Sequence, residues 1–209
     1  MIDTEEKAYW LGMMAADGNV ATGRPVLKLA FASKDRDHLL SFGSALQSTH
    51  SISDYTNNGH KVAELVVSSP QLTKGLAQHG VGPRKTFVLK WPDFLSAELL
   101  RHYLRGYFDG DGTLSANPRS RIRKRDGVRP ITLGWSILGN EAFCLEAQRY
   151  LVEKTGVGKT KLNTPKHSPS IRYLIYGGTR QVSRIFHFMY DDATVWLHRK
   201  GEKVAPYIQ

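Results

Sequence analysis

Residues 104–115 read LRGYFDGDGTLS, with Asp109 and Asp111 alternating with Gly110 and Gly112. Carboxylates two residues apart among glycines suit three chemistries: a phosphotransferase nucleophile, a calcium loop, or the metal-binding acid of a nuclease. A fourth reading is an acidic turn with no chemistry. A second stretch narrows the choice. YWLGMMAADGNV (9–20) aligns with YLRGYFDGDGTL (103–114). Tyr9 matches Tyr103, Gly12 matches Gly106, and Asp17-Gly18 matches Asp111-Gly112. Ala15 and Ala16 stand where the second copy has Asp109 and Gly110, so Asp111 is shared and Asp109 is not.

The surroundings repeat as well, and internal periodicity of this length marks a duplicated structural unit. VLKLAFAS (26–33) and RDHLLSFGSAL (36–46) have counterparts in PITLGWSI (130–137) and NEAFCLEAQRYLVEKTG (140–156). Short strand-like runs follow in each half, SISDY (51–55) and AELVVS (63–68), then KTKLN (159–163) and RYLIYG (172–177). Each half then has a short helical pattern and a basic pair, Arg84-Lys85 and Arg199-Lys200. The order is α-β-β-α-β-β-α, twice. The expected division is 1–90 and 96–209, joined by a linker at 91–95.

The first motif reads as a helix capped by Thr4, with Glu5 and Glu6 in its favourable first turn. Gly18 suits the left-handed position after its end. Gly12 and Ala16, and Gly106 and Gly110, lie four residues apart and share a helix face. Such small stripes let two helices approach closely, so the motif helices are expected to pack on each other. Asp17 and Asp111 would then sit at helix C-termini, where the dipole disfavours a carboxylate by about 0.3–1 kcal/mol. A hard divalent cation reverses that sign, because it binds carboxylate and carbonyl oxygens. Asp109 reads as polar support or as a surface residue.

Two alternatives fail on context. FDGDGTL resembles the first motif of the haloacid dehalogenases, but that motif follows a buried strand, and AELLRHYLRGYF has helical spacing. A calcium-binding EF-hand loop from Asp109 needs glycine sixth and glutamate twelfth, where Leu114 and Ser120 stand.

The paired motifs, LRGYFDGDG and the degenerate WLGMMAADG, resemble the LAGLIDADG homing endonuclease family over nearly the whole chain. The resemblance implies an α+β fold of two half-domains. Their antiparallel sheets would form a saddle over DNA, with the motif helices at the seam. It also implies a pseudo-symmetric monomer that makes a staggered double-strand break by hydrolysing one phosphodiester in each strand. Asp17 and Asp111 would be the metal ligands, assisted by the backbone carbonyls of Ala16 and Gly110. The implied cofactor is Mg2+, with Mn2+ or Ca2+ able to replace it for binding and Ca2+ not for catalysis. Lys85 and Lys200 match the family's lysine after the last helix of each half; catalytic help and phosphate neutralisation are both open to them. Lys34 lies where the family often has a polar active-site residue. Its counterpart is Leu138, so two unequal centres are expected. The other reading of the resemblance is a binder that does not cleave, an intron maturase or a DNA-binding regulator.

Composition agrees with a polyanionic partner. The chain has 209 residues and a net charge of +10, with 29 Lys and Arg against 19 Asp and Glu. In VLKLAFAS, Leu27, Leu29 and Phe31 face the core, leaving Lys28, Ala30 and Ala32 outward, followed by Ser33. In PITLGWSI, Ile131, Leu133, Trp135 and Ile137 face in, leaving Thr132, Gly134 and Ser136. Lys159, Lys161 and Asn163 share a face, whereas RYLIYG leaves both of its faces open as the inner one. The segment 117–129 carries Arg119, Arg121, Arg123, Lys124, Arg125 and Arg129 and suits phosphate and groove contacts. The lone cysteine, Cys144, excludes an internal disulfide and reads as a buried thiol. No apolar run nears the roughly 18 residues that span a bilayer. The N-terminus lacks a signal-peptide pattern, so the expectation is a soluble, cytoplasmic protein.

Overall fold

The computed structural model describes every residue except 84, 86–87, 119–126, 128, 167 and 209. The chain forms two compact units, Met1–Gly110 and Asp111–Gln209. The first runs α1 (Glu5–Ala16), β1 (Asn19–Val20), β2 (Val26–Ala32), α2 (Arg36–Ala45), β3 (Ile52–Asn57), β4 (His60–Ser68), α3 (Pro70–Gln78) and α4 (Ala97–Asp111). Helix α4 thus belongs to the first unit through Gly110. The second runs β5 (Thr113–Pro118), β6 (Ile131–Gly139), α5 (Glu141–Thr155), β7 (Arg172–Gly177), α6 (Thr179–Tyr190) and α7 (His198–Glu202). No helix among the described residues is long and apolar enough to cross a membrane.

In the first unit the strands form an antiparallel sheet in the order β1-β2-β4-β3. The alternation in β2 is as expected: Leu27, Leu29 and Phe31 are buried and Lys28, Ala30 and Ala32 exposed. Period-two patterning decides this face, because one side of the sheet is covered and the other is not. Ala63, Leu65 and Val67 of β4 complete the covered side. The second unit has three antiparallel strands, β5-β6-β7. Leu133, Trp135 and Ile137 of β6 are buried, and β7 buries Leu174 and Tyr176, which face Ile137 and Trp135 across the ladder. Ile131, expected inside, is half-buried at the strand's start.

The two units are not identical repeats. KTKLN (159–163), expected as a strand, forms none; only Asn163 pairs, with Tyr173, in an isolated bridge. Gly156 closes α5 in the left-handed conformation, and Gly158 and Pro165 bracket the segment, which favours irregular chain. Lys159, Lys161 and Asn163 remain exposed. The stretch 91–95 is docked rather than loose: Trp91 and Leu95 are buried, and Phe94 stacks on His79 at 4.6 Å. Cys144 is fully buried and its thiol is pushed up to about 12 by burial.

Candidate nuclease centres on the motif helices

Helix α1 starts as the sequence implies, with the Thr4 hydroxyl accepting from the Lys7 N–H at 3.3 Å. It is buried almost all round, from Ala8 to Ala16, as a helix at the middle of a unit must be. Its contact with α4 is backbone against backbone. A Cβ on Gly12 would land on the carbonyl of Tyr103, and one on Gly106 on the carbonyl of Tyr9. One turn on, a Cβ on Gly110 would lie 2.5 Å from the Ala16 methyl and 3.3 Å from Asp17 Oδ2. The small stripes are therefore the seam between α1 and α4.

Beside the stripe runs a buried polar network that the sequence reading missed. Arg105 is fully buried and donates to Glu5 at 2.6 Å and to His102 Nδ1 at 2.9 Å. Its guanidinium carbon lies 5.4 Å from the centre of the Tyr9 ring. The Tyr9 hydroxyl donates to Asp109 at 2.8 Å and lies 2.7 Å from His38 Nε2. Asp109 is 2 % exposed, so it is polar support inside the seam and not a surface residue. His102, Arg105 and Asp109 are spaced three and four apart on α4, and that spacing was the available signal. Burial, with Arg105 nearby, lowers His102 to about 4, against a smaller opposing pull from Glu5.

Asp17 is the C-cap of α1 and is exposed; Asp111 is the last residue of α4 and is half-buried. Gly18 does not take the left-handed conformation expected of it. A Cβ there would sit 2.7 Å from the Met14 carbonyl oxygen, so the requirement is close approach to the helix and not positive φ. The Lys85 ammonium donates to the Gly18 carbonyl. In the second unit the Lys200 ammonium donates to the Gly112 carbonyl at 2.6 Å, and Lys200 is 9 % exposed. Each unit thus repeats one constellation: motif aspartate, then a glycine whose carbonyl is held by a lysine, Lys85 after α3 in the first unit and Lys200 in α7 in the second.

The donor set fits a hard divalent cation. It offers carboxylate and carbonyl oxygen only, with the Gly110 position stripped to leave space beside Asp17. Among the described residues no group of three or more His, Cys, Asp and Glu could hold a metal.

The remaining expected residues divide by location. Lys34 is exposed in the short 3-10 turn after β2 that begins at Ser33, whereas Leu138 is half-buried in β6. Lys28, Ala30 and Ala32 lie on the open face of the first sheet, and Thr132 and Ser136 are half-exposed on that of the second. Arg129 is exposed just before β6. Arg119, Arg121, Arg123, Lys124 and Arg125 lie outside the described residues.

No protein-family model and no curated protein matches the chain. Solved structures do. The LAGLIDADG meganuclease I-AabMI, solved bound to uncleaved DNA, is 11% identical with a TM-score of 0.63, covering 93% of this chain and 86% of its own. The homing endonuclease I-LtrWI, bound to target DNA, is 12% identical with a TM-score of 0.63, covering 98% and 90%. I-SmaMI, bound to cleaved DNA, is 14% identical with a TM-score of 0.63, covering 94% and 86%. The low identity leaves the architecture as what is shared. The two antiparallel sheets, the paired motif helices and the near-complete coverage give this chain the fold of the LAGLIDADG homing endonucleases.

Proposed function

We propose that the chain is a site-specific, Mg2+-dependent endonuclease that cuts both strands of a double-stranded DNA target, working as a monomer. The observation that carries this reading is the repeated aspartate–glycine–lysine constellation, Asp17-Gly18 with Lys85 and Asp111-Gly112 with Lys200. A fold that only bound DNA would have no use for two such centres.

Phosphodiester hydrolysis needs an attacking water and neutralisation of the charge that builds on the phosphate and the leaving oxygen. Mg2+, when bound, supplies an activated water and a Lewis acid. Asp17 and Asp111 are the carboxylates that would hold it. Lys85 and Lys200 have one donor committed to a glycine carbonyl, which fixes each ammonium at the end of its motif. A fixed positive charge there opposes the phosphate's developing charge without reorganising. The open sheet faces, with small residues at Ala30, Ala32 and Gly134, let a backbone or base edge come close, and the net charge of +10 holds the duplex.

The two centres are not equal in their surroundings: Lys34 follows β2, and Leu138 stands at the matching place in β6. That difference argues against equal rates at the two strands. The test is incubation of the protein with Mg2+ and a randomised duplex library, followed by sequencing of broken ends. Cuts at one sequence with staggered ends support the reading. Selective binding with no cuts at any bound sequence would make the chain a non-cleaving binder.

A further inference from the structure

The open face of the first sheet holds one feature that does not suit a surface built only to attract phosphate. On the strands of that sheet its outward residues are Asn19, then Val26, Lys28, Ala30 and Ala32, then Ser53, Tyr55 and Asn57, then His60 to Ser68 in alternation. Glu64 is the one acidic side chain among them. It sits on β4, an inner strand, and pairs across the ladder with Ala30 on one side and Ser53 on the other. Both directly opposed neighbours are small. Its side chain is 19% exposed and reaches diagonally to Lys28, with 3.8 Å between Glu64 Oε2 and Lys28 Nζ. That separation is beyond a hydrogen bond, and Lys28 is 48% exposed, so the pair adds little to stability.

A carboxylate at the middle of a DNA-facing sheet is repelled by every phosphate. The groups of duplex DNA that attract it are base amino groups in the major groove, of which cytosine N4 is the usual partner of Glu. A lysine beside it matches the guanine O6 and N7 acceptors of the same base pair. We propose that Glu64 and Lys28 together read one G·C base pair of the target, Glu64 accepting from cytosine N4 and Lys28 donating to guanine. This rests on the reading of that sheet as the DNA-facing surface. The neighbouring Ala30 and Ser53 leave room for the base edge, and the loose ion pair is exchanged for two base contacts at no large cost. Glu64 is then a specificity residue: it gives no affinity for DNA in general and selects the base that repays its charge.

The test is selection of bound duplexes from a randomised library, at fixed salt and with Ca2+ in place of Mg2+, by the full chain and by Glu64→Gln. The wild type should enrich C over other bases at one position by about fivefold or more, the low end of a good base contact. Glutamine prefers adenine, through N6 and N7, so Glu64→Gln should exchange C for A at that position and leave the others unchanged. Lys28→Ala should relax the choice of G on the opposite strand of the same pair. Thermal unfolding of the variants at the wild-type temperature shows that the fold is intact. The proposal is overturned if wild type and Glu64→Gln select the same bases everywhere, or if the position that changes is not G·C in the wild type. A wild type that enriches no sequence at all overturns the DNA-recognition reading itself, a result distinct from a changed or unchanged single position.

Discussion

Substituting Gly106 by alanine puts the sign of two opposed effects on trial. In an unobstructed helix the change favours folding by about 0.5–1 kcal/mol, because alanine loses less backbone freedom. At Gly106 the added methyl falls on the Tyr9 carbonyl, and its next neighbours are the Tyr9 carbonyl carbon at 2.8 Å and the Met13 nitrogen at 3.0 Å. These are backbone atoms of α1 and cannot rotate away, so the helices must separate. Overpacking of this kind costs about 1–3 kcal/mol, with the upper end apt where backbone is displaced. The net is a loss of about 2 kcal/mol, which for a chain of this size lowers Tm by about 4–8 °C. Gly75 in α3 is the internal control: a Cβ there meets no atom within 4 Å. Gly75→Ala should raise stability by about 0.5–1 kcal/mol in a urea titration run beside wild type and Gly106→Ala. A Gly106→Ala protein as stable as wild type, or one that gains as Gly75→Ala does, would refute the close seam between α1 and α4.

Three further outcomes follow from the polar groups. His102 is lowered to about 4 by burial and Arg105, from 6.5, so the unfolded chain binds the proton first. Its contribution is fully present above pH 6.5 and is lost as pH falls from there toward 4, with a slope of at most about 1.4 kcal/mol per pH unit; denaturation of His102→Gln across that range should show a flatter profile. Lys200→Met should leave target binding within about tenfold and slow cleavage by about 10²-fold or more, as loss of a fixed charge at a reacting phosphate does; equal losses in binding and cleavage would make Lys200 a plain phosphate contact. Replacing Arg119, Arg121, Arg123, Lys124 and Arg125 by serine should make the negative slope of log K against log salt shallower by up to about 4.5, each phosphate contact being worth about 0.9.

The parts of the fold that were legible are those set by period and by repetition. The β2 and β6 faces followed from alternation, because each sheet has one covered side. Aligning the two halves singles out Asp17, Asp111, Lys85 and Lys200 with no knowledge of contacts, and the structure brings each lysine to the glycine carbonyl of its motif. What escaped depends on partners far along the chain. The Glu5–Arg105 and Tyr9–Asp109 pairs join residues whose separation gives no local signal; only the spacing of His102, Arg105 and Asp109 hinted at a polar edge beside the glycine stripe. Gly18 was assigned a left-handed turn because glycine often ends helices that way, whereas its lack of a side chain serves the approach of the Met14 carbonyl. KTKLN alternates like a strand, yet without a full partner ladder alternation alone does not make one.

The centre itself is tested most directly by comparing Asp111→Asn with Asp109→Asn on the selected target. Asn at 109 keeps an oxygen for the Tyr9 hydroxyl, while Asn at 111 removes the charge proposed to hold the metal. With Mg2+ and strand-specific labels, Asp111→Asn should abolish double-strand cleavage and retain binding, whereas Asp109→Asn should still cut both strands at reduced stability. Loss of cleavage in Asp109→Asn with full cleavage by Asp111→Asn would contradict the assignment of the chemistry to Asp17 and Asp111.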